Sequence, residues 1–200
     1  MINFINISKE EPYNKFQHFY SVAQKNNQKN IEAIAISSYN PLKKEVNSRY
    51  VNLKYIDINR WIFFTNYLSP KANEFNLHKQ ISCIFYWNVI DVQIRLKGDV
   101  FKLSDSYSDK HFYKRKIEKN ALAIVSNQSK KIDAYNDIVE KYQKYLGSSQ
   151  ELDNVRPDYW GGFQFIPTYF EFWEGNENRL NKRKVYVNEN NTWSSYFLQP

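Results

Sequence analysis

The chain has 200 residues, 42% of them hydrophobic and 18% aromatic, with a formal charge of +7. That is enough apolar material for one domain with a real core, and no internal repeat or low-complexity linker interrupts it. The single cysteine, Cys83, excludes an intramolecular disulfide and suits a reducing compartment; inside the apolar run Ile81–Trp87 it reads as a small buried hydrophobe. Met1–Pro12 has neither a basic region nor an apolar stretch of signal-peptide length, and no run approaches membrane-spanning length. A cytoplasmic location is expected. The charge admits a nucleic-acid partner, but the basic residues come in twos and threes (Lys43-Lys44, Lys130-Lys131, Lys182-Arg183-Lys184). The expectation is a lysine-coated surface suited to small anions, with no nucleic acid and no membrane as partner.

In chain order, Ser8-Lys9-Glu10-Glu11 has capping-box spacing with Pro12 in the first turn. Tyr13, Phe16, Tyr20 and Ala23 recur at helical spacing, which predicts an amphipathic helix over Pro12–Lys25. Ala33–Ser38 reads as a strand, Val46–Asp57 as one long strand, and Trp61–Asn66 as a third. Short links between them imply antiparallel pairing. Ser69-Pro70 opens a short helix to about His78. Ile81–Trp87 and Val92–Leu103 are strands, with Gly98 marking a bend or bulge.

Helical periodicity covers Ser104–Lys116 and Ile132–Leu146, the latter with Ile132, Tyr135, Ile138, Val139, Tyr142 and Tyr145 on one face. Ala121–Ser129 takes no assignment, and Gly147–Asp158 reads as a loop. Gly161–Ile166, Tyr169–Glu174, Arg183–Asn188 and Thr192–Leu198 complete the strands. The fold class expected is α+β: a mainly antiparallel split β-barrel with flanking helices, in a single domain over 1–200.

The most informative stretch is Phe170–Arg183. Phe170 and Phe172 alternate with Glu171 and Trp173, and after Gly175 a polar turn carries Arg179 and Arg183. Arginine is scarce, seven of the 28 basic residues, so two of them four apart beside a tryptophan suggest fork-shaped recognition of an anion or a heteroaromatic ring. The alternative is a hairpin with solvated charges. At Ser69-Pro70-Lys71 a helix start and a lysine offer a candidate phosphate seat; the alternative is an ordinary helix N-terminus, most of which bind nothing. Arg49 and Lys54, five apart, fall on opposite faces of a regular strand. Gln93, among apolar neighbours, needs a partner if buried. The three histidines, His18, His78 and His111, have no metal-ligand spacing, so no metal is expected. No nucleophile elbow, Walker loop or dinucleotide fingerprint is present, which assigns any chemistry to a cofactor.

These pieces resemble the pyridoxine/pyridoxamine 5′-phosphate oxidase family. The resemblance is carried by Arg49-Tyr50-Val51-Asn52-Leu53-Lys54, Phe63-Phe64-Thr65-Asn66, Ser69-Pro70-Lys71, Phe85-Tyr86-Trp87, Gln93 with Gly98, Gln128-Ser129, Trp160-Gly161-Gly162-Phe163, Glu171-Phe172-Trp173, Arg179-Leu180, Arg183 and the Leu-Gln-Pro ending. It spans about three quarters of the chain and leaves residues 1–45 outside its clearest part. It implies a split-barrel homodimer with FMN at the subunit interface, contacted by Arg49, Val51, Lys54, Phe64, Thr65, Lys71, Gln93, Gln128, Ser129, Trp173 and Arg183. It further implies a phosphorylated pyridine substrate, with Lys54 and Arg115 on its phosphate and Arg179, the residue closest to a catalytic role, over its ring. The reaction the resemblance implies is hydride transfer from pyridoxamine or pyridoxine 5′-phosphate to the flavin, with O₂ as acceptor.

Five positions depart from the family pattern. Pro70 stands in place of an arginine, His111 of a tyrosine, Lys119 of a serine, Asn181 of a histidine, and Ile117 where arginine is common. The departures keep two alternatives open: a paralogous flavin oxidase of the phenazine-biosynthesis type, and a split barrel that binds flavin or another ligand without turnover.

Overall fold

The computed structural model describes residues 1–148 and 155–200. They form strands β1 (Asn3–Ile5), β2 (Ala33–Asn40), β3 (Glu45–Asn52), β4 (Tyr55–Asp57), β5 (Arg60–Asn66), β6 (Gln80–Trp87), β7 (Val92–Lys102), β8 (Trp160–Glu174), β9 (Lys182–Glu189) and β10 (Thr192–Leu198). The helices are α1 (Glu11–Lys25), α2 (Pro70–Leu77), α3 (Asp105–Lys114), α4 (Ile117–Val125) and α5 (Tyr135–Gly147). The strands make one sheet in the order β1-β4-β5-β8-β7-β6-β2-β3, with β9 added to β8 and β10 to β9. This is the α+β, mainly antiparallel architecture expected. The chain divides into two compact units, the first of Met1–Phe63, Glu74–Phe101 and Gln164–Pro200, the second of Phe64–Asn73 and Lys102–Phe163.

In the first unit, strict alternation decides which face of each strand is dry. Ile81, Cys83, Phe85 and Trp87 of β6, and Val92, Ile94, Leu96 and Val100 of β7, point into the core. Helix α1 covers that core with Tyr13, Phe16, Tyr20 and Ala23, the predicted face. Phe16 lies 4.5 Å from Trp61 and 5.5 Å from both Phe85 and Trp87, and Trp61 meets Phe165 and Phe170 at 5.6 and 5.8 Å. Each such ring contributes roughly 1.5–3 kcal/mol by leaving water, so this aromatic layer fixes the strands above it. Burial also pushes the Cys83 thiol pKa up, which keeps it an inert core group.

In the second unit, Ser104 caps α3 by accepting from the Tyr107 N–H at 3.4 Å. The buried Arg156 ties that helix to the start of β8, donating to Asp109 (2.6 Å), Asp105 (3.1 Å) and the Trp160 carbonyl (2.7 Å).

Several local expectations change. The long strand over Val46–Asp57 is two strands, because the backbone turns at Leu53 and Lys54: the Leu53 N–H goes to the Glu32 carbonyl and the Lys54 N–H to that of Ile62. Gly161–Ile166 and Tyr169–Glu174 join into the single strand β8 through Pro167. The unassigned Ala121–Ser129 contributes the end of α4. The short β1 has too few residues for a pattern; it pairs with β4 in parallel. Ser8 bonds the Glu10 side chain and N–H instead of closing a capping box, and the N-cap is Glu10. The apolar face foreseen around α5 buries none of its residues, with Tyr135 76% exposed. Of the loop expected over Gly147–Asp158, residues 149–154 lie outside the described residues.

Gly98 marks a close approach, not a bend. A Cβ there would sit 2.2 Å from the carbonyl oxygen of Ile166, whereas one on Gly147 would meet nothing within 4 Å. Gly98→Ala is therefore expected to cost about 2 kcal/mol in urea unfolding, and Gly147→Ala to cost nothing; equal losses for the two would contradict the close approach.

Candidate functional site

The first unit carries a polar sheet face opposite its aromatic layer. Along β8, Phe170 and Phe172 are fully buried in the core, which turns Tyr169, Glu171 and Trp173 to the other side. Register sets Trp173 opposite Arg183 of β9. Strand β7 lies on the other flank of β8. The Gly175 N–H donates to the Asp91 carbonyl at 2.9 Å and Arg95 meets Glu171, so β7 runs antiparallel to β8 and Gln93 comes opposite Trp173. Gln93, Trp173 and Arg183, three of the expected cofactor residues, thus share one face.

At its centre is Glu171, 1% exposed. Its Oε1 accepts from Arg183 Nε (2.9 Å) and Nη2 (2.7 Å), and its Oε2 from Arg95 Nη1 (2.8 Å) and the Tyr169 hydroxyl (2.9 Å). Burial alone would raise this carboxyl; the bonds from Arg183 and Tyr169 and the two guanidinium charges outweigh it and hold the pKa below the usual carboxylate range. Tyr169 responds oppositely: burial and its bond to Glu171 push it up to about 12. Arg183 Nη1 also donates to the Gln199 carbonyl at 3.0 Å. A guanidinium has more N–H donors than these bonds use.

Arg49 sits on β3 opposite Ile36. Its Nη2 pairs at 2.9 Å with Glu74, a carboxylate whose side chain is 2% exposed, and its Nη1 donates to Ser38 Oγ at 2.5 Å. Ser38 and Asn47 also donate to Glu74. Val51 follows on the same face of β3. Lys54 does not belong to that strand, so the two-face problem posed by Arg49 and Lys54 disappears at the Leu53–Lys54 turn. Arg179 is exposed on the β8–β9 turn with φ 58°, and its N–H closes that turn onto Asn176. Asn181 Oδ1 accepts from the Asn176 N–H at 3.1 Å, so its amide stabilises the same turn.

The second unit holds the remaining residues. Lys71 is buried, with Nζ 3.2 Å from Thr65 Oγ1 and 3.3 Å from Ser69 Oγ. Phe64 stacks on His111 (3.7 Å between ring centroids, 11°) and on Trp160 (5.5 Å, 12°). The Arg115 guanidinium lies over Trp160 at 4.4 Å and donates through Nη2 to the Lys119 carbonyl at 2.9 Å. Its Nη1 is buried without a hydrogen-bond partner, and burial lowers its pKa to about 10, so it stays charged at neutral pH. Arg115, Lys119, Ser126, Gln128, Asn66 and Trp160 are among the residues around a cavity of about 210 Å³. Gln128 accepts from the Asn66 N–H at 3.4 Å, and Ser129 is exposed with φ 68°.

The residues that reading the chain missed are the organisers: Glu74, Arg95, Tyr169 and, as a ring beneath a cation, Trp160. Alternation placed Glu171 beside Trp173 but left its cross-strand partners open. Among the described residues no cluster of three or more His, Cys, Asp or Glu forms a metal site, and no helix is long and apolar enough to cross a membrane.

The mainly antiparallel α+β sheet, with arginine, tryptophan and glutamine grouped on one face, defines the class of fold: a split barrel. Residues 24–145 match the family model for pyridoxamine 5′-phosphate oxidase, and residues 160–200 match that for the pyridoxine 5′-phosphate oxidase C-terminal dimerisation region. The chain is 34% identical over 191 residues to the pyridoxine/pyridoxamine 5′-phosphate oxidase of Coxiella burnetii (95% of this chain, 96% of the relative). It is 33% identical over 193 residues to that of Colwellia psychrerythraea (96% and 88%). Among solved structures, PhzG from Burkholderia lata in complex with tetrahydrophenazine-1-carboxylic acid has a TM-score of 0.87 at 25% identity, covering 95% of this chain and 93% of that one. The chain belongs to the pyridoxamine 5′-phosphate oxidase family, and with it to the FMN-dependent oxidoreductases.

Glu171 sets an acid limit. A carboxyl whose folded pKa lies below its unfolded value, about 4.3 for glutamate, stabilises fully above that value and loses its contribution as pH falls through the folded pKa. Acid unfolding followed by fluorescence should show Glu171→Gln less stable than the parent at pH 7, with the gap narrowing below about pH 4. A gap independent of pH would mean that the carboxylate charge is not what stabilises.

Proposed function

We propose that this chain oxidises pyridoxamine or pyridoxine 5′-phosphate to pyridoxal 5′-phosphate, with FMN as cofactor and O₂ as acceptor. The observation that carries the reading is Arg115 Nη1: a buried cationic donor without a partner, beside Lys119, in a cavity walled by Trp160. Such a donor is costly unless an anion completes it, and a phosphate does so with a charge-assisted, bidentate bond. Lys54 is assigned to the same phosphate.

The residues present fit FMN. In the second unit Lys71, with the Thr65 and Ser69 hydroxyls beside it, offers a cation suited to the FMN phosphate, and the family resemblance assigns Arg49, Val51, Lys54, Phe64, Gln128 and Ser129 to contact the cofactor. Gln93, Trp173 and Arg183 offer an amide, an indole and a guanidinium to the polar edge of a flat heterocycle. When bound, FMN supplies the two-electron acceptor for a hydride from the substrate. The protein's share is orientation: Arg179 over the substrate ring, Arg115 on its phosphate, and the Phe64–His111–Trp160 stack as a flat wall. Matching of residues 160–200 to a dimerisation region supports a homodimer, with FMN at its interface. The single cysteine, buried and unpaired, suits a cytoplasmic enzyme.

Asn181 favours a second reading. Its side chain is committed to the Asn176 turn, which leaves no imidazole there to frame a pyridine ring, and the likeness to PhzG points to a paralogous oxidase of a carboxylated polycyclic substrate.

Anaerobic titration of the FMN-loaded protein with pyridoxine 5′-phosphate tests the choice. Bleaching of the flavin absorbance, restored by air, is expected; a flavin that stays oxidised would move the assignment to the second reading. Arg179→Ala should lower turnover at least 10-fold while FMN affinity stays within about 3-fold, and Gln93→Ala should do the reverse. Loss of flavin from Arg179→Ala would exchange the two roles.

A further inference from the structure

Glu171 has no assigned role toward flavin or substrate, yet both its carboxylate oxygens are engaged, by Arg183, Arg95 and Tyr169. We infer that Glu171 is a positioning residue: it aims the Arg183 guanidinium, with the Gln199 carbonyl as second anchor, so that the remaining N–H groups of Arg183 are set for the flavin. The inference rests on reading Arg183 as an FMN contact.

Three observations carry it. Arg183 meets Glu171 side-on, Nε and Nη2 sharing Oε1, and Nη1 is taken by the backbone of Gln199 just past β10. Anchors on both sides of a planar fork fix its plane and its rotation, which one salt bridge would not. The carboxylate is itself prevented from turning, because Oε2 is occupied by Arg95 and by Tyr169. Finally, Glu171 sits between Phe170 and Phe172, both fully buried in the core, so its backbone moves only if the aromatic layer moves. Arginine loses much rotamer freedom when a ligand orders it; here the fold removes that freedom in advance, which is how preorganisation raises affinity.

A carboxylate that merely neutralised two buried-edge arginines would stabilise the fold without steering Arg183. Non-additivity separates the two roles. The flavin-stripped full chain is titrated with FMN, following quenching of flavin fluorescence, for the parent, Arg183→Ala, Glu171→Gln and the double variant. Each single change is expected to weaken FMN binding by about 10-fold, on the order of 1.4 kcal/mol, and the double variant to bind no more weakly than Arg183→Ala. If Glu171→Gln costs the same factor in the Arg183→Ala background, or costs nothing in the parent, the positioning role is overturned. If Arg183→Ala alone leaves FMN affinity unchanged, the assignment of Arg183 to the flavin fails, and the inference fails with it. Should Glu171→Gln not fold, Glu171→Asp keeps the charge and withdraws it by one methylene. A parent-like melting temperature with weakened FMN binding is expected there; parent-like FMN affinity overturns the role.

Discussion

A carboxylate withdrawn from water must be compensated locally, and in this protein that requirement organises the polar face of the sheet. Glu171 is nearly inaccessible, and without Arg183, Arg95 and Tyr169 its charge would be unsupportable. The constraint runs both ways. The aromatic layer of Phe16, Trp61, Phe85 and Phe170 forces position 171 to the opposite face, and the carboxylate then draws two guanidinium groups from neighbouring strands onto one spot. Glu74 repeats the device with Arg49, Ser38 and Asn47. Two arginines that the family motif assigns to a cofactor are thus held by buried carboxylates to which the motif gave no role.

Much of the fold was legible because burial follows period. Tyr13, Phe16, Tyr20 and Ala23 announced α1, and the alternations of Ile81–Trp87 and Val92–Val100 announced β6 and β7. The failures have physical causes. Nothing in Val46–Asp57 marks the break at Leu53, since it is imposed by backbone partners at Glu32 and Ile62, distant in sequence. Pro167 looks like an interruption, yet β8 passes through it. The periodic face of Ile132–Leu146 was real in the sequence and unburied in the fold, because periodicity reports a capacity for burial and not a partner.

The site was legible in the same uneven way. The stretch around Trp173 pointed to Arg179 and Arg183, and only the family resemblance joined Gln93 to Trp173 and Arg183. Both were silent on what those groups do to one another, which depends on cross-strand register and on the reach of side chains. The departures from the family pattern also acquire local meanings. Pro70 opens α2, where a missing N–H costs no helical bond. Lys119 serves Arg115 through its backbone carbonyl, a contact indifferent to the side chain. Asn181 trades an imidazole for an amide that closes the Asn176 turn.

The arginines divide by whether a carboxylate already balances them. Arg49, Arg60, Arg95, Arg156 and Arg183 each have one within ion-pair distance. Among the described residues Arg115 and Arg179 do not. A cofactor that stays bound is served by fixed, partly satisfied donors, since rigidity lowers the cost of ordering them and their charge need not be neutralised at each turnover. A substrate that arrives and leaves is attracted by charge that the protein has left uncompensated, and in a poorly solvated pocket such a charge acts with less screening than at the surface. The paired Arg49 and Arg183 fall to the flavin in the proposed function, and the unpaired Arg115 and Arg179 to the substrate. The family resemblance implies the same division, and the placement of carboxylates beside Arg49 and Arg183 but not Arg115 and Arg179 agrees with it.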